Sequence, residues 1–486
     1  MPPGGWPGIV TGALALGLLS FQLAADPAVG VTFSQSPFTD EGWTTLGARN
    51  VVLLGRWATD EWQQYLVQLP FNVVVAGVFK VFGVGIIQAR LVSVVVTAIT
   101  VGLVAVVVTR RLGWLPGLLA GAMLATSTLL LYYGRLAVLE PMVLLLLMLV
   151  LVAWTSGRGG GRWTAGIAVG VGVALALSTK LSSAAPLLGI SAGGLAAAVS
   201  MRPDVTRLAR RASIAMLVVL AAGAGWAALV LASPGAWESI VRVWPNQLPA
   251  TSAAELVDRI ITFPGTSDNA LGYSRPLVAG AVAGTFAVVA RWRSMDGGQR
   301  LLAGAAIGWL LVGVAVLSVV PYRPNRYLVP MLPPMAILSG YALAAVMAAA
   351  AETGWTGRRA TRVALAATIG LAIVAALPGV RSLRGWMLHA TYDLPRVQDE
   401  VLRLVNDGHA IQGAVTMAMR LPVPTIITQA DVNAGDLYAT HDVRWLLTNR
   451  SMTPAWAAAH PRAWARREVL VCYPWPSGEA CLIRVP

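Results

Sequence analysis

The sequence predicts a polytopic α-helical membrane protein of about eleven transmembrane helices, followed by a small soluble α/β domain at the C-terminus. Three observations carry that reading. Hydrophobic residues make up 56% of the 486 residues and charged residues only 12%, about half the ~25% usual in soluble proteins. Apolar runs recur at lengths close to what a hydrocarbon core of ~30 Å requires. The last hundred or so residues lose this character and read as soluble.

The spans fall at approximately 8–25, 88–108, 114–133, 141–155, 163–179, 183–199, 212–232, 277–290, 301–320, 327–350 and 363–380. The net charge of +14 comes almost wholly from arginine, since Lys80 and Lys180 are the only lysines. Fourteen arginines lie in alternate loops: Arg110 and Arg111; Arg158 and Arg162; Arg202, Arg207, Arg210 and Arg211; Arg291, Arg293 and Arg300; Arg358, Arg359 and Arg362. Only Asp204, Asp296 and Glu352 oppose them there. Such loops are expected to be cytoplasmic, which puts the N-terminus inside and the C-terminal domain outside. Spreading arginine over inter-span loops also argues against a nucleic-acid partner. The segment before Trp6 has no basic side chain and no convincing Ala-x-Ala site ends the first run, so no cleaved signal peptide is expected.

The transmembrane domain covers 1–380 and includes two long external loops, 26–87 and 233–276. In the first, Trp57 to Leu69 looks amphipathic, with Trp62 and Tyr65 suited to the interface. Leu69 to Gly85 is apolar but broken by Pro70, Lys80 and Gly83. It reads as an interfacial or re-entrant hairpin, because a full span there would invert every later loop. The second loop carries Trp237, Trp244, Pro245 and Pro249 and fits an interfacial lid. The extracytoplasmic domain, 381–486, should hold a helix from Pro395 to Asn406, closed by Gly408. Strands are expected at Gly413–Met417, Pro424–Thr428, Val443–Thr448, Val469–Tyr473 and Leu482–Val485. Cys472 and Cys481 flank a turn and would face each other across a hairpin. A disulfide there suits an oxidising compartment, and two unpaired thiols are the alternative.

Charges near membrane depth are expensive and by default point to function. Asp40, Glu41, Arg135, Glu140, Lys180, Arg323 and Arg326 all fall on the predicted external side. An acidic pair just beyond the first span, with scattered cations on the same side, suits an enzyme handling a phosphorylated lipid at the bilayer surface. Each residue also has a plainer reading. Thr39 could cap a helix whose first turn carries Asp40 and Glu41. Arg135 and Lys180 could snorkel, and Glu140 could start a helix before Pro141. Arg323, Arg326 and Tyr327 could anchor the interface. All four histidines lie in the C-terminal domain. There is no zinc-type spacing, Walker loop or nucleophile elbow.

The motifs together resemble the GT-C superfamily of polyprenyl-phosphate-sugar glycosyltransferases, in the branch of protein O-mannosyltransferases and lipid A aminoarabinose transferases. The matching pieces are Asp40-Glu41; Ala89-Arg90-Leu91 with Ser93; Tyr133-Gly134-Arg135 with Glu140-Pro141; Thr179-Lys180; and Arg326-Tyr327 with Pro330, Pro333 and Gly340. Gln68-Leu69-Pro70-Phe71 departs from the charged residue and double proline common in the family, and the tail shows no β-trefoil. The resemblance implies an inverting transferase moving a hexose or pentose from a polyprenyl-phosphate donor to an acceptor hydroxyl. This would occur at the outer face of a bacterial inner membrane. Asp40 would be the catalytic base, with Glu41 and Glu140 as further catalytic acidic groups. Lys180, Arg135, Arg326, Arg323 and Tyr327 would hold the donor phosphate. Partners would be the lipid-linked sugar, a glycan, lipid or protein acceptor, and membrane lipids. No cofactor is required; a divalent cation is compatible with the chemistry but not indicated by ligand spacing. A transporter or flippase of a phosphorylated lipid-linked sugar or polysaccharide is the alternative, and a catalytically inactive scaffold is a third reading.

Overall fold

The computed structural model describes residues 5–27, 40–60, 64–155, 162–201, 205–233, 236–237, 252, 254–255, 257–258, 274–320, 324–352, 357–426, 441–449, 457–458, 460–475 and 478–486. A helix occupies each of the eleven expected ranges. These are α1 (Trp6–Ser20), α4 (Ile86–Leu112), α5 (Trp114–Ala125) continued by α6 (Thr128–Tyr133), α7 (Glu140–Thr155), α8 (Arg162–Thr179), α9 (Ala184–Val199), α10 (Val205–Ala232), α11 (Arg275–Arg291), α12 (Gly297–Val319), α13 (Leu332–Glu352) and α14 (Gly357–Leu388). Among the described residues six helices are long and apolar enough to cross a bilayer unaided. The chain is a multi-pass membrane protein.

Two apolar ranges behave differently from a simple span. The range 114–133 is broken at Thr126 and Ser127, where Thr126 turns its hydroxyl back on the Ala122 carbonyl at 2.8 Å. The last helix runs past the expected limit at 380 to Leu388. Contacts at its end explain the extension: Ser382 Oγ lies 2.6 Å from the Tyr132 hydroxyl, and Trp386 stacks on Arg135.

Small residues set the helix packing. Gly189 and Gly193 of α9 face Gly304 and Gly308 of α12, and a Cβ on any of the four would run into the opposite backbone or a side chain on it. Close backbone approach of this kind replaces the hydrophobic drive that lipid cannot supply. Gly8 and Gly12 of α1 meet Gly102 of α4 in the same way.

The loop after α1 folds into α2 (Asp40–Leu54) and α3 (Leu69–Phe82). α3 has Pro70 in its first turn and a buried stripe of Phe71, Val75 and Phe79, and it is closed by Gly83. At 14 residues it is about 21 Å long, too short to cross. In the stretch 57–69, read as amphipathic, a 3₁₀ turn, Gln64–Val67, carries Tyr65, and Trp62 lies outside the described residues. Of the residues proposed for a lid, Trp237 is exposed, and Trp244, Pro245 and Pro249 lie outside the described residues.

The tail domain contains α15 (Asp393–Leu404), α16 (Pro461–Ala465) and five strands: β1 (Ala410–Gly413), β2 (Thr425–Ile426), β3 (Val443–Asn449), β4 (Glu468–Trp475) and β5 (Gly478–Arg484). Their order is β2-β1-β3-β5-β4, with β1, β2 and β3 parallel and β5 antiparallel to its neighbours. Gly408, at φ +79°, follows α15 as expected. The strand expected at Gly413–Met417 is displaced: β1 ends at Gly413, and residues 414–421 coil, with Met417 N–H bonding the Ala414 carbonyl at 3.0 Å. The apolar run there is buried against α2, not in the sheet. Cys472 and Cys481 pair across β4 and β5 with Cα atoms 4.0 Å apart and form a disulfide.

Candidate active site

Four charged residues from four distant segments meet at one end of the helix bundle. Asp40 opens α2, Glu140 opens α7, Lys180 follows α8, and Arg326 lies in the 3₁₀ segment Asn325–Met331 before α13. Lys180 Nζ is 2.5 Å from Glu140 Oε1. Arg326 bridges both acids: Nε lies 3.5 Å from Glu140 Oε1, and Nη1 contacts Asp40 Oδ2. The formal charges cancel, two against two. The side-chain exposures grade outward, from 2% at Glu140 through 14% at Arg326 and 16% at Lys180 to 27% at Asp40. Asp40 is therefore the acid open to a ligand, and Glu140 the buried counter-ion.

Tyr327 lies under Lys180, whose Nζ is 4.1 Å from the ring centroid; a ring face at this range adds to cation binding. Burial works against the Lys180 ammonium. The charges of Glu140 and Tyr327 and the Glu140 hydrogen bond outweigh it, so its pKa lies above the ordinary lysine value.

Glu41 is not in this group. It is fully buried and grips Arg90 through two bonds of 2.7 Å, Nε to Oε1 and Nη2 to Oε2. Oε1 also accepts the Ala137 N–H at 2.9 Å. Arg90 Nη1 further donates to the carbonyls of Leu23, at 2.8 Å, and Ala25, at 2.7 Å. A carboxylate sealed in this way ties α2, α4 and the turn before α7 together, and no face is left for a substrate. The adjacent acids of the sequence thus divide by helical geometry: Glu41 points into the bundle and Asp40 toward the opening. Arg135 is also placed away from the cluster. Its guanidinium stacks on Trp386 at 4.1 Å and donates to the Gln22 carbonyl. Burial first, and then the like charge of Arg90, lower its pKa. Arg323 lies outside the described residues.

Three residues that the sequence reading did not select tie the membrane domain to the tail domain. Asp26, in the loop after α1, caps α15: its carboxylate accepts Asp393 N–H at 2.8 Å, Leu394 N–H at 2.9 Å and the Thr391 hydroxyl at 2.6 Å. Arg49 and Thr416 join α2 to the tail domain, as described below. A lone Asp after a span, or a lone Arg inside a short helix, has no local pattern that marks it; Arg90 did lie in one of the motifs that carried the resemblance.

Comparison with known proteins agrees with this architecture. Residues 70–230 match the family model described as dolichyl-phosphate-mannose-protein mannosyltransferase. The structure is similar to ArnT from Cupriavidus metallidurans bound to undecaprenyl phosphate, with a TM-score of 0.65 at 16% identity over 99% of this chain and 98% of that one. It is also similar to the Archaeoglobus fulgidus oligosaccharyltransferase tethered with an acceptor peptide, with a TM-score of 0.55 at 12% identity over 98% of this chain and 74% of that one. AglB from the same organism, in complex with an inhibitory peptide and a dolichol-phosphate, gives 0.53 at 12% identity over the same shares of the two chains. No curated protein sequence matches significantly. The chain has the GT-C fold, built from a multi-pass helical bundle and a small C-terminal α/β domain.

Proposed function

We propose that the protein is a glycosyltransferase that moves a sugar from a polyprenyl-phosphate donor to an acceptor hydroxyl, with inversion, at the outer face of a bacterial inner membrane. The observation that carries the proposal is the meeting of Asp40, Glu140, Lys180 and Arg326 at the bundle end where the chain leaves α1 and starts α7. In the reaction, the acceptor oxygen attacks the anomeric carbon and the bond from that carbon to the phosphate oxygen breaks. The hydroxyl proton passes to Asp40, and the polyprenyl phosphate leaves with the bonding pair. Lys180 and Arg326 stabilise the charge that develops on it, which is the largest electrostatic contribution such a site offers. Arg326 held against Asp40 occupies the carboxylate that is to take the proton. A donor phosphate that draws Arg326 toward itself releases Asp40 for proton transfer. No cofactor is required on this reading.

The charges lie at one end of the bundle and not at midplane, which supports transfer over transport. The relatives bound to undecaprenyl phosphate and dolichol-phosphate support a lipid phosphate as the ligand class. Mass spectrometry of lipids copurifying with the full-length protein should detect a polyprenyl-phosphate sugar. Transfer is then assayed from a total lipid extract of the source membranes, with the delipidated membrane residue as acceptor. Asp40→Asn should retain the lipid and lose ~10²–10⁴-fold in turnover. Near-normal turnover in that variant removes Asp40 from the base role.

A further inference from the structure

We infer that the tail domain sets the position of Asp40 through a joint made by Thr416 and Arg49, and that both are positioning residues for the chemistry; the inference rests on the role proposed for Asp40. The first N–H groups of a helix have no partner within it, and a side chain just ahead of the helix commonly supplies one. Thr39, which stands there, lies outside the described residues. For α2 the described acceptor comes from far away in the chain. Gly42 N–H donates to Thr416 Oγ1 at 2.9 Å, across 374 positions of sequence. Thr416 is itself fixed, since it is fully buried and its carbonyl accepts Gln398 Nε2 at 2.6 Å. The approach demands glycine: a Cβ on Gly42 would fall on Thr416 N and Oγ1 and within 2.7 Å of its Cα.

Two turns along α2, Arg49 completes the joint. It is 1% exposed. Nε donates to the Met419 carbonyl at 3.0 Å, and Nη2 to the carbonyls of Leu421 and, at 2.8 Å, Val423. Nη1 donates to Asn50 Oδ1 at 2.6 Å. Every one of these acceptors is neutral. A buried cation with no counter-ion among the described residues is an expensive way to hold two surfaces together, and Leu46 against Val415 already supplies apolar contact between them. What directional bonds add is fixed rotation and translation of α2. The opposite side of the same helix end is anchored by Glu41 to Arg90 and Ala137 N–H. Asp40 is thereby suspended between the bundle and the tail, two residues from the Thr416 bond.

The tail segment involved, residues 414–423, leaves the carboxyl end of β1 and leads to β2, which runs parallel to it. Loops at that edge of a parallel sheet are the usual place for ligand contacts in α/β domains. A shift of this segment, when the tail engages an acceptor, therefore reaches Asp40 through two residues.

The test uses the full-length chain with two readouts: turnover in the extract assay per mole of monodisperse protein, and binding of undecaprenyl phosphate. Thr416→Val removes the hydroxyl and keeps the shape; Thr416→Ser keeps the hydroxyl. Arg49→Lys keeps the charge but cannot reach three carbonyls. Turnover should fall about tenfold or more in Thr416→Val and Arg49→Lys, on the scale of a lost helix cap. It should stay near wild type in Thr416→Ser, and the undecaprenyl phosphate Kd should hold within about twofold in all three. Unchanged turnover in Thr416→Val and Arg49→Lys, beside an inactive Asp40→Asn, overturns the joint and leaves the transferase reading standing. Parallel loss of turnover and undecaprenyl phosphate binding also overturns it, because the residues would then only hold the fold. Full turnover in Asp40→Asn removes the base role, and the inference with it.

Discussion

Glu140→Gln should tighten phosphate binding while slowing transfer, a sign opposite to what loss of a ligand-binding residue gives. Glu140 lies 2.5 Å from the Lys180 ammonium and 3.5 Å from Arg326 Nε, so it competes for the cations that a donor phosphate would need. A phosphate seated against Lys180 would lie roughly 5 Å from that carboxylate. Coulomb's law gives a repulsion of about 3 kcal/mol at an effective dielectric of ~20, and about 1 kcal/mol in water. Removing it should strengthen binding of undecaprenyl phosphate by about 5- to 100-fold. Release of the leaving phosphate should slow by a similar factor. The assay is equilibrium binding of undecaprenyl phosphate to wild type and variant in nanodiscs, at several pH values. Wild-type Lys180 has a raised pKa. Its charge contribution is therefore fully present below the ordinary lysine value and is lost only as pH rises through the higher folded value. In Glu140→Gln burial acts with less opposition and lowers that pKa, so the variant's binding should fall off earlier on the alkaline side. Unchanged or weaker binding at neutral pH in a folded variant would refute the competition.

Lys180→Ala should weaken undecaprenyl phosphate by ~1–3 kcal/mol, the range for a charge-assisted contact; equal affinity by the same titration would return Lys180 to a snorkelling role. Arg90→Ala leaves the Glu41 carboxylate buried with the Ala137 N–H as its remaining partner in the described network, and should cost ~3–5 kcal/mol, read as a large drop in thermal midpoint in detergent; an unshifted midpoint would mean the pair is structurally idle. A reporter fused after Pro486 should be active outside the cell, and cytoplasmic activity would overturn the proposed sidedness of the whole cluster. Replacing Cys472 and Cys481 with Ser together should destabilise the tail by ~2–3 kcal/mol, since the bridge closes a loop with a sequence separation of 9; hydrogen exchange on β4 and β5 would show no change if the bridge were dispensable.

The sequence by itself determined the helices and their order. Apolar runs of this length have one low-energy state in a bilayer, because every backbone group must be bonded within its own segment. Arginine concentrates in alternate loops, the bias expected of cytoplasmic loops, and so Asp40, Glu140, Lys180 and Arg326 were expected on one side before any coordinates. Tertiary structure decided what each charge does. Asp40 and Glu41 are neighbours in sequence, yet one faces the opening and the other is sealed on Arg90. Their directions depend on how α2 is rotated, and α2 is held by Thr416 and Arg49 across more than 360 positions. Arg135 looked like a phosphate ligand by position and is instead stacked on Trp386, because α14 runs eight residues beyond its apolar stretch to bring that ring over. The apolar run after Gly413 reads as a strand by composition, but its partner is a helix and not another strand. Patterns along a chain report the environment of a face. Which faces meet is set by long-range packing, and no local pattern encodes it.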